Sequence, residues 1–287
     1  MTQCTICGST RPRLLSRRGG AVYHFCPECR VIFQHPLPPP DEMLSYADNE
    51  YEEGLYRDYV EARDMKLEHF RHRLEQLLPR VQRGRLLDIG CSCGYFMEVA
   101  AGNGFEVEGL EFSRAAIAAA DPAVRSRISC SSVDAFDSNR SYDLITAFDL
   151  IEHVPRPKDF LRKIRHLLAP RGCLVMTTPD AGHFLRHVMG SSWPMLQPMQ
   201  HLTIFSRQAM RMVLEKAGFG DITFERATKT ITYQYLTDQL RTLTPALHRG
   251  LGVVGLCLPA RTKGKYRHIN IGEFMVLAKL PGAQDAP

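Results

Sequence analysis

From Arg85 onward the chain alternates short apolar runs with helix-periodic segments, and this rhythm restricts the fold more than any other feature. Strands separated by amphipathic helices form parallel sheets, because a parallel pair needs a long crossover that a helix supplies. The pattern predicts strands over 85–89, 106–110, 127–131, 142–148 and 172–177. Helices are predicted over 95–102, 113–120 and 157–168, the last opening on Pro157, where a missing N–H costs little. Ser206 is placed to cap a helix over 207–217 that Gly218 ends. Residues 221–228 and 271–279 read as a closing strand pair. The 42 residues between them, 229–270, exceed any hairpin loop and predict an insertion beside the acceptor site. The class is α/β.

Upstream the pattern differs. Residues 1–40 carry four cysteines and close on Pro36-Leu37-Pro38-Pro39-Pro40, a run that neither helix nor central strand can propagate. Residues 41–84 form a lead-in whose stretch 55–78 is helical, with Leu67, Phe70, Leu74 and Leu77 at helical spacing and Pro79 as the stop. The expected division is therefore 1–40, 41–84 and 85–287, with the insertion at 229–270.

Cysteine placement points to a metal. Of nine cysteines, Cys4/Cys7 and Cys26/Cys29 form two Cys-x2-Cys pairs 18 residues apart. Each pair fits a tight turn with both sulfurs facing one point, and four thiolates complete a tetrahedral zinc shell. With no open position, such a zinc is structural.

The most informative turn follows the first parallel strand. Leu86-Leu87-Asp88-Ile89 runs into Gly90-Cys91-Ser92-Cys93-Gly94, and a helix begins at once. Glycines let backbone approach a ligand, and the helix start presents free N–H groups. The turn is too short for a P-loop and lacks its Gly-Lys-Ser/Thr ending. Glu111 ends the second strand 23 residues after Asp88, where a carboxylate can accept from both hydroxyls of a ribose. Two carboxylates suit a cationic, phosphate-free cofactor better than a dinucleotide.

In these residues the chain resembles the class I methyltransferases. The resemblance runs from Leu86 to about Phe219 and includes Gly-Leu-Glu-Phe-Ser (109–113), Tyr-Asp-Leu-Ile-Thr-Ala-Phe-Asp-Leu-Ile-Glu-His-Val (142–154) and Leu-Leu-Ala-Pro-Arg-Gly-Cys-Leu-Val-Met (167–176). It implies a Rossmann-like, mostly parallel sheet of seven strands with helices on both faces, and S-adenosylmethionine as cofactor. It assigns Asp88, Gly90, Ser92 and Gly94 to the glycine loop, Glu111 to the ribose, Phe112 to the cofactor site and Phe148 to the methionine flank. The adenine contact falls among Ser132, Val133 and Asp134. Ser92 stands where the family usually has the middle glycine. The whole-chain order of cysteine pairs, basic loop and Pro-x-Pro resembles bacterial methyltransferases of sugars, glycans or secondary metabolites. A similar layout in ribosomal RNA methyltransferases gives the alternative acceptor.

Methyl transfer to a hydroxyl needs alignment and a base. His153 follows the fourth parallel strand, and His201 lies in the long loop after the fifth. The other reading of each is an imidazole bonded to a backbone carbonyl. Trp193, Met195 and Met199 are expected to wall the acceptor pocket. Asp149, Glu152, His153 and His201 also resemble the magnesium site of small-RNA 2′-O-methyltransferases and ubiquinone-pathway O-methyltransferases.

Charge is uneven. Five arginines against Glu28 give residues 1–40 a charge of +4, and residues 241–287 carry +5, leaving −4 between them. The acidic centre fits a small-molecule or saccharide acceptor better than nucleic acid, which the basic ends would otherwise suit. No apolar run approaches the ~20 residues of a membrane span, and Met1-Thr2-Gln3-Cys4 lacks a secretory layout. A cytoplasmic location is expected.

Overall fold

The computed structural model describes residues 2–39, 42–43, 62–232 and 265–282. The chain opens on three strands, β1 (Arg13–Arg18), β2 (Ala21–Phe25) and β3 (Ile32–Gln34). Helix α1 (Arg63–Leu77) leads into β4 (Arg85–Ile89), α2 (Tyr95–Gly102) and β5 (Glu106–Glu111). Two short helices, α3 (Arg114–Ala119) and α4 (Pro122–Arg125), return the chain to β6 (Ile128–Cys130). After β7 (Tyr142–Phe148) a single 3-10 turn (Ile151–His153) precedes α5 (Pro157–Leu167) and β8 (Leu168–Pro179). Then come α6 (Phe184–Met189), β9 (Thr203–Ile204), α7 (Arg207–Ala217) and β10 (Asp221–Arg226). The chain closes on β11 (Lys229–Ile231), β12 (Arg267–Ile269) and β13 (Glu273–Lys279).

Seven strands form one sheet in the order β10-β13-β8-β7-β4-β5-β6. From β8 to β6 every pairing is parallel, while β13 runs antiparallel to both β8 and β10. The reversal of strand order at β4 opens the crevice where ligands of open α/β sheets bind. Successive residues point to opposite faces. Leu86, Leu144, Val175 and Leu277 pack under α1 and α2, while Leu87, Ile145, Leu174 and Val276 pack under α5 and α7. Both faces are covered, as a parallel sheet requires.

Local signals placed most boundaries. Ser206 accepts from Ala209 N–H at 3.1 Å to cap α7, and Gly218 ends it in the left-handed region at φ 92°. Strand β8 starts four residues earlier than 172, because Leu168 already pairs with Tyr142 and a register irregularity absorbs the turn that follows. Of the predicted helix at 55–78, the stretch 55–61 lies outside the described residues. The insertion begins and ends as an antiparallel ribbon, Lys229 opposite Ile269 and Ile231 opposite Arg267. Its middle, 233–264, lies outside the described residues.

The cysteine-bearing segment is tied to the rest through a second sheet, β1-β2-β3-β9, in which Ile32 pairs with Ile204 and Phe33 with Thr203. Trp193 corrects an expectation. It is 1% exposed, packed with Ala21, Tyr23, Ile32 and Leu196, and so fills a core instead of walling a pocket. Met195 packs against the same cluster.

Candidate active site

The turn after β4 alternates left-handed residues: Gly90 at φ 72°, Ser92 at 51° and Gly94 at 69°. That alternation explains a glycine at every second position. A side chain at a left-handed residue costs roughly 1–2 kcal/mol, so Ser92 is the strained member. Its N–H donates to Glu111 Oε2 at 2.9 Å, which holds the strained turn in place. Glu111 also accepts from the N–H groups of Phe112 and Ser113, both at 2.9 Å. Three backbone donors on one carboxylate leave about one of its four acceptor positions for a ligand. Burial raises the Glu111 pKa, against the pull of those donors. Behind the turn, Asp88 accepts from Thr146 Oγ1 at 2.6 Å, and burial pushes its carboxyl up to about 7.

Other cofactor-site candidates gather at the same strand ends. Phe112 is 45% exposed beside Glu111. Asp134 is exposed and Val133 buried, both beyond the end of β6. Phe148 meets Phe96 edge-on at 4.9 Å, with the Arg73 guanidinium 5.0 Å from its ring centre.

The two histidines stand beyond the end of β7 and just before β9. His153 Nδ1 lies 3.0 Å from Gln200 O, and His201 Nδ1 lies 2.8 Å from Met195 O. A carbonyl only accepts, so His201 Nδ1 carries the proton and its Nε2 keeps a lone pair, whereas the His153 ring also faces a second acceptor, the Asp149 carbonyl. The backbone-carbonyl reading of both residues is thus realised, and in His201 it supplies the tautomer a base needs. The rings stand 5.1 Å apart at 65°. Burial lowers both pKa values, that of His201 to about 3, so both rings are neutral at ordinary pH. Glu152 joins them, 1% exposed, accepting from Thr178 Oγ1 at 2.9 Å, with its pKa raised by burial and by Asp149. The ring nitrogens and the Glu152 carboxylate lie within 4.8 Å of one another.

Asp149 does not join that trio, and the four-residue metal set expected from sequence is corrected to three. Its carboxylate is taken by the Lys229 ammonium and by Thr177 Oγ1, the latter at 2.7 Å. Burial opposes its ionisation, but Lys229 and Arg73 outweigh it and hold the carboxyl far below its usual range. Lys229 also reaches Glu273 Oε1 at 3.3 Å. Lys229, Arg73 and Glu273 carry no motif of their own, and pattern reading passed over them.

The four amino-terminal cysteines converge as expected. Cys4 and Cys29 sulfurs are 3.6 Å apart, as are those of Cys7 and Cys26, and all four lie within 4.8 Å. Sulfurs 2.3 Å from a common zinc at tetrahedral angles would be about 3.8 Å apart. The donor set and spacing fit that ion. Each Cys-x2-Cys turn closes on a left-handed residue, Gly8 at φ 83° and Arg30 at 59°.

Comparison with known proteins agrees with this architecture. A family model described as a methyltransferase domain matches residues 59–223. The ubiquinone biosynthesis O-methyltransferase of Bradyrhizobium diazoefficiens is 33% identical over 99 residues, covering 33% of this chain and 39% of the relative. That of Burkholderia cenocepacia is 35% identical over 103 residues, covering 33% of this chain and 44% of the relative. The chain thus spans less than half the length of these relatives. A solved S-adenosylmethionine-dependent methyltransferase from Archaeoglobus fulgidus shares the fold, with a TM-score of 0.52 at 16% identity over 77% of this chain and 98% of that one. No helix among the described residues is long and apolar enough to cross a membrane. With the family model covering more than half of its residues, from the approach to α1 into β10, the chain belongs to the methyltransferase-domain family.

Proposed function

We propose that the chain transfers the methyl group of S-adenosylmethionine to a hydroxyl of a small-molecule or saccharide acceptor. The observation that carries this reading is a neutral imidazole, His201, whose Nδ1 is anchored on Met195 O, in a fold that also builds the Glu111–Ser92 turn. The relatives named as O-methyltransferases support the hydroxyl as acceptor. The RNA alternative draws less support, because Arg11 pairs with Glu28 at 2.7 Å and Arg18 donates to Trp193 O.

In the proposed reaction His201 Nε2 removes the acceptor proton as the oxygen attacks the sulfonium methyl. The carbon–sulfur bond breaks, and neutral S-adenosylhomocysteine leaves. Glu111 holds the ribose, Gly90, Ser92 and Gly94 bring backbone close to the amino-acid end, and Phe148 flanks the methionine chain. Phe112 and Asp134 border the adenine. His153 orders the second side of the pocket. Cys4, Cys7, Cys26 and Cys29 hold a structural zinc.

A second reading rests on the convergence of Glu152, His153 and His201 within 4.8 Å. Those three side chains would hold a divalent ion, which lowers the pKa of a bound hydroxyl. Two imidazoles and one carboxylate suit zinc or manganese better than magnesium, which prefers oxygen.

Calorimetric titration with S-adenosylhomocysteine tests the reading directly: micromolar or tighter binding is expected, and no binding would sink it. Glu111→Ala should weaken that binding by about 1–3 kcal/mol, the scale of hydrogen bonds to a charged group left unmade. It should also lower the melting temperature, since Ser92, Phe112 and Ser113 lose their acceptor. Unchanged affinity in this variant would exclude Glu111 from the cofactor site.

A further inference from the structure

We propose that the β11–β12 ribbon is held against α1 by a cluster of three neutral imidazoles, His69, His72 and His268, and that proton uptake by this cluster releases it. No step of the proposed methyl transfer uses these residues. His69 is buried on α1, and the backbone N–H of Thr230, at the centre of β11, donates to its Nδ1 at 3.3 Å. An N–H only donates, so that nitrogen must be unprotonated for the contact to exist. Thr230 Oγ1 lies 3.3 Å from the same nitrogen and 2.9 Å from Nδ1 of His268 on β12. The His268 ring in turn stacks on His72 of α1, with centroids 3.8 Å apart and planes at 16°. Charge on both rings of such a pair sets like charges face to face at contact distance.

The surrounding charges mostly oppose that uptake. At His69 burial acts first, Arg73, Lys229 and Lys66 add to it, and Asp149 pulls the other way, which holds the ring far below the ordinary imidazole range. At His268 burial and then His72 lower the pKa, against Glu68 and Glu75 of α1. Arg71 answers Glu68 at 3.4 Å, and Arg267, next to His268 on β12, points to the opposite face of the ribbon. Both His69 and His268 therefore bind a proton less well with the ribbon docked than with it released. Docking is complete above the ordinary imidazole value of about 6.5. Below that value it weakens by up to about tenfold per pH unit for each imidazole that must stay neutral.

Other contacts fix only the base of the ribbon. Asn270 Nδ2 donates to Ala227 O at 2.5 Å and to Glu273 O at 2.8 Å, and Arg73 donates to Thr228 O at 3.1 Å. None of these depends on an imidazole, so the base acts as a hinge about which β11 and β12 leave the helix. Lys229, the first residue of β11, carries the consequence toward the candidate site, because it pairs with Asp149 and, at 3.3 Å, with Glu273. The Asp149 pair resists release. Burial raises the Glu273 carboxyl, so loss of its charge is a competing way for acid to loosen Lys229, and the test must separate the two.

Hydrogen exchange of the full chain is the test, read on peptides covering 227–232 and 265–271 and corrected for the intrinsic rate at each pH. Between about pH 7.5 and about pH 5.5, protection of the wild-type ribbon should fall about tenfold for one titrating imidazole and up to about a hundredfold for two, while β4, β7 and β8 keep theirs. His268→Phe keeps a stacking ring without a proton site, and His69→Asn keeps an acceptor for the Thr230 N–H. In each, the fall should shrink about threefold or more. Should the buried His69 variant fail to fold, His268→Phe, at an exposed position, carries the test. Glu273→Gln should retain the wild-type fall. In wild type the His268 imidazole, followed by NMR, should titrate below the ordinary value of about 6.5. Equal ribbon protection at both pH values overturns the proposal, as do a wild-type fall in folded His268→Phe and a His268 titration at or above the ordinary value. A fall abolished by Glu273→Gln would give the release to that carboxyl and overturn the imidazole assignment.

Discussion

Stripping zinc from the four-cysteine cluster is expected to destabilise the catalytic side of the molecule along with the first forty residues. Cys4, Ile6, Cys26, Cys29, Val31 and Phe33 share one continuous core with Phe205, Ala209, Met210 and Val213 of the α7 region. Ser206 Oγ donates to Cys29 O at 2.7 Å, and Lys216 Nζ donates to Ile6 O at 3.1 Å. Strand β3 pairs with β9, which begins two residues after His201. Structural zinc contributes an apparent ~10–16 kcal/mol in small zinc-finger peptides, against a total stability of about 5–15 kcal/mol for an ordinary domain. A loss of only about 5 kcal/mol would lower the melting temperature by ~10–20 °C. Elemental analysis should find one zinc per chain, absent from the Cys26→Ser/Cys29→Ser double variant. That variant should melt earlier and lose turnover in the same preparation. Zinc content unchanged by the double substitution would end the assignment; chelation that leaves both melting and turnover intact would end the coupling.

That coupling was not legible in the sequence, and the reason is physical. Pro36 to Pro40 reads as a boundary because proline propagates neither helix nor central strand, and local chemistry says nothing about what β3 meets 170 residues later. The parallel strands, the Ser206 cap and the Gly218 stop were legible, since each depends on neighbours in the chain. The glycine turn was legible too, and the left-handed φ of Ser92 shows why its position ordinarily favours glycine. What the pattern could not supply were partners brought from afar. Lys229 comes to Asp149 from 80 residues away, and Arg73 reaches Thr228 across 155. The acidic-acidic-His pattern at 149, 152 and 153 therefore suggested one metal site, whereas a distant ammonium removes its first member. Trp193 misled for the same reason. An aromatic in a long loop looks like a pocket wall until a second sheet is seen to cover it.

His201→Ala is expected to reduce turnover by ~10²–10⁴-fold, the range for loss of a positioned general base. Affinity for S-adenosylhomocysteine should stay nearly unchanged, because the Glu111 turn is held by Ser92, Phe112 and Ser113 and His201 has no part in it. Several contacts make His201 the stronger candidate of the pair. Met195 O at 2.8 Å fixes its tautomer, His201 N–H donates to Gln197 O at 3.0 Å, and Leu202 N–H donates to Glu152 O at 2.8 Å. The ring is thus held on both sides of its own backbone, and a positioned base loses little freedom on reaching the transition state. His153→Ala should reduce turnover less, since its ring is engaged by two carbonyls, Gln200 O at 3.0 Å and that of Asp149. The metal reading forecasts something different. If Glu152, His153 and His201 hold a catalytic ion, all three alanine variants should fall together, and a chelator should abolish wild-type turnover at concentrations that leave the four-cysteine zinc in place. A base acting alone predicts turnover indifferent to that chelator, with His201→Ala well below His153→Ala. Equal turnover in His201→Ala and wild type would remove His201 from the chemistry under either reading.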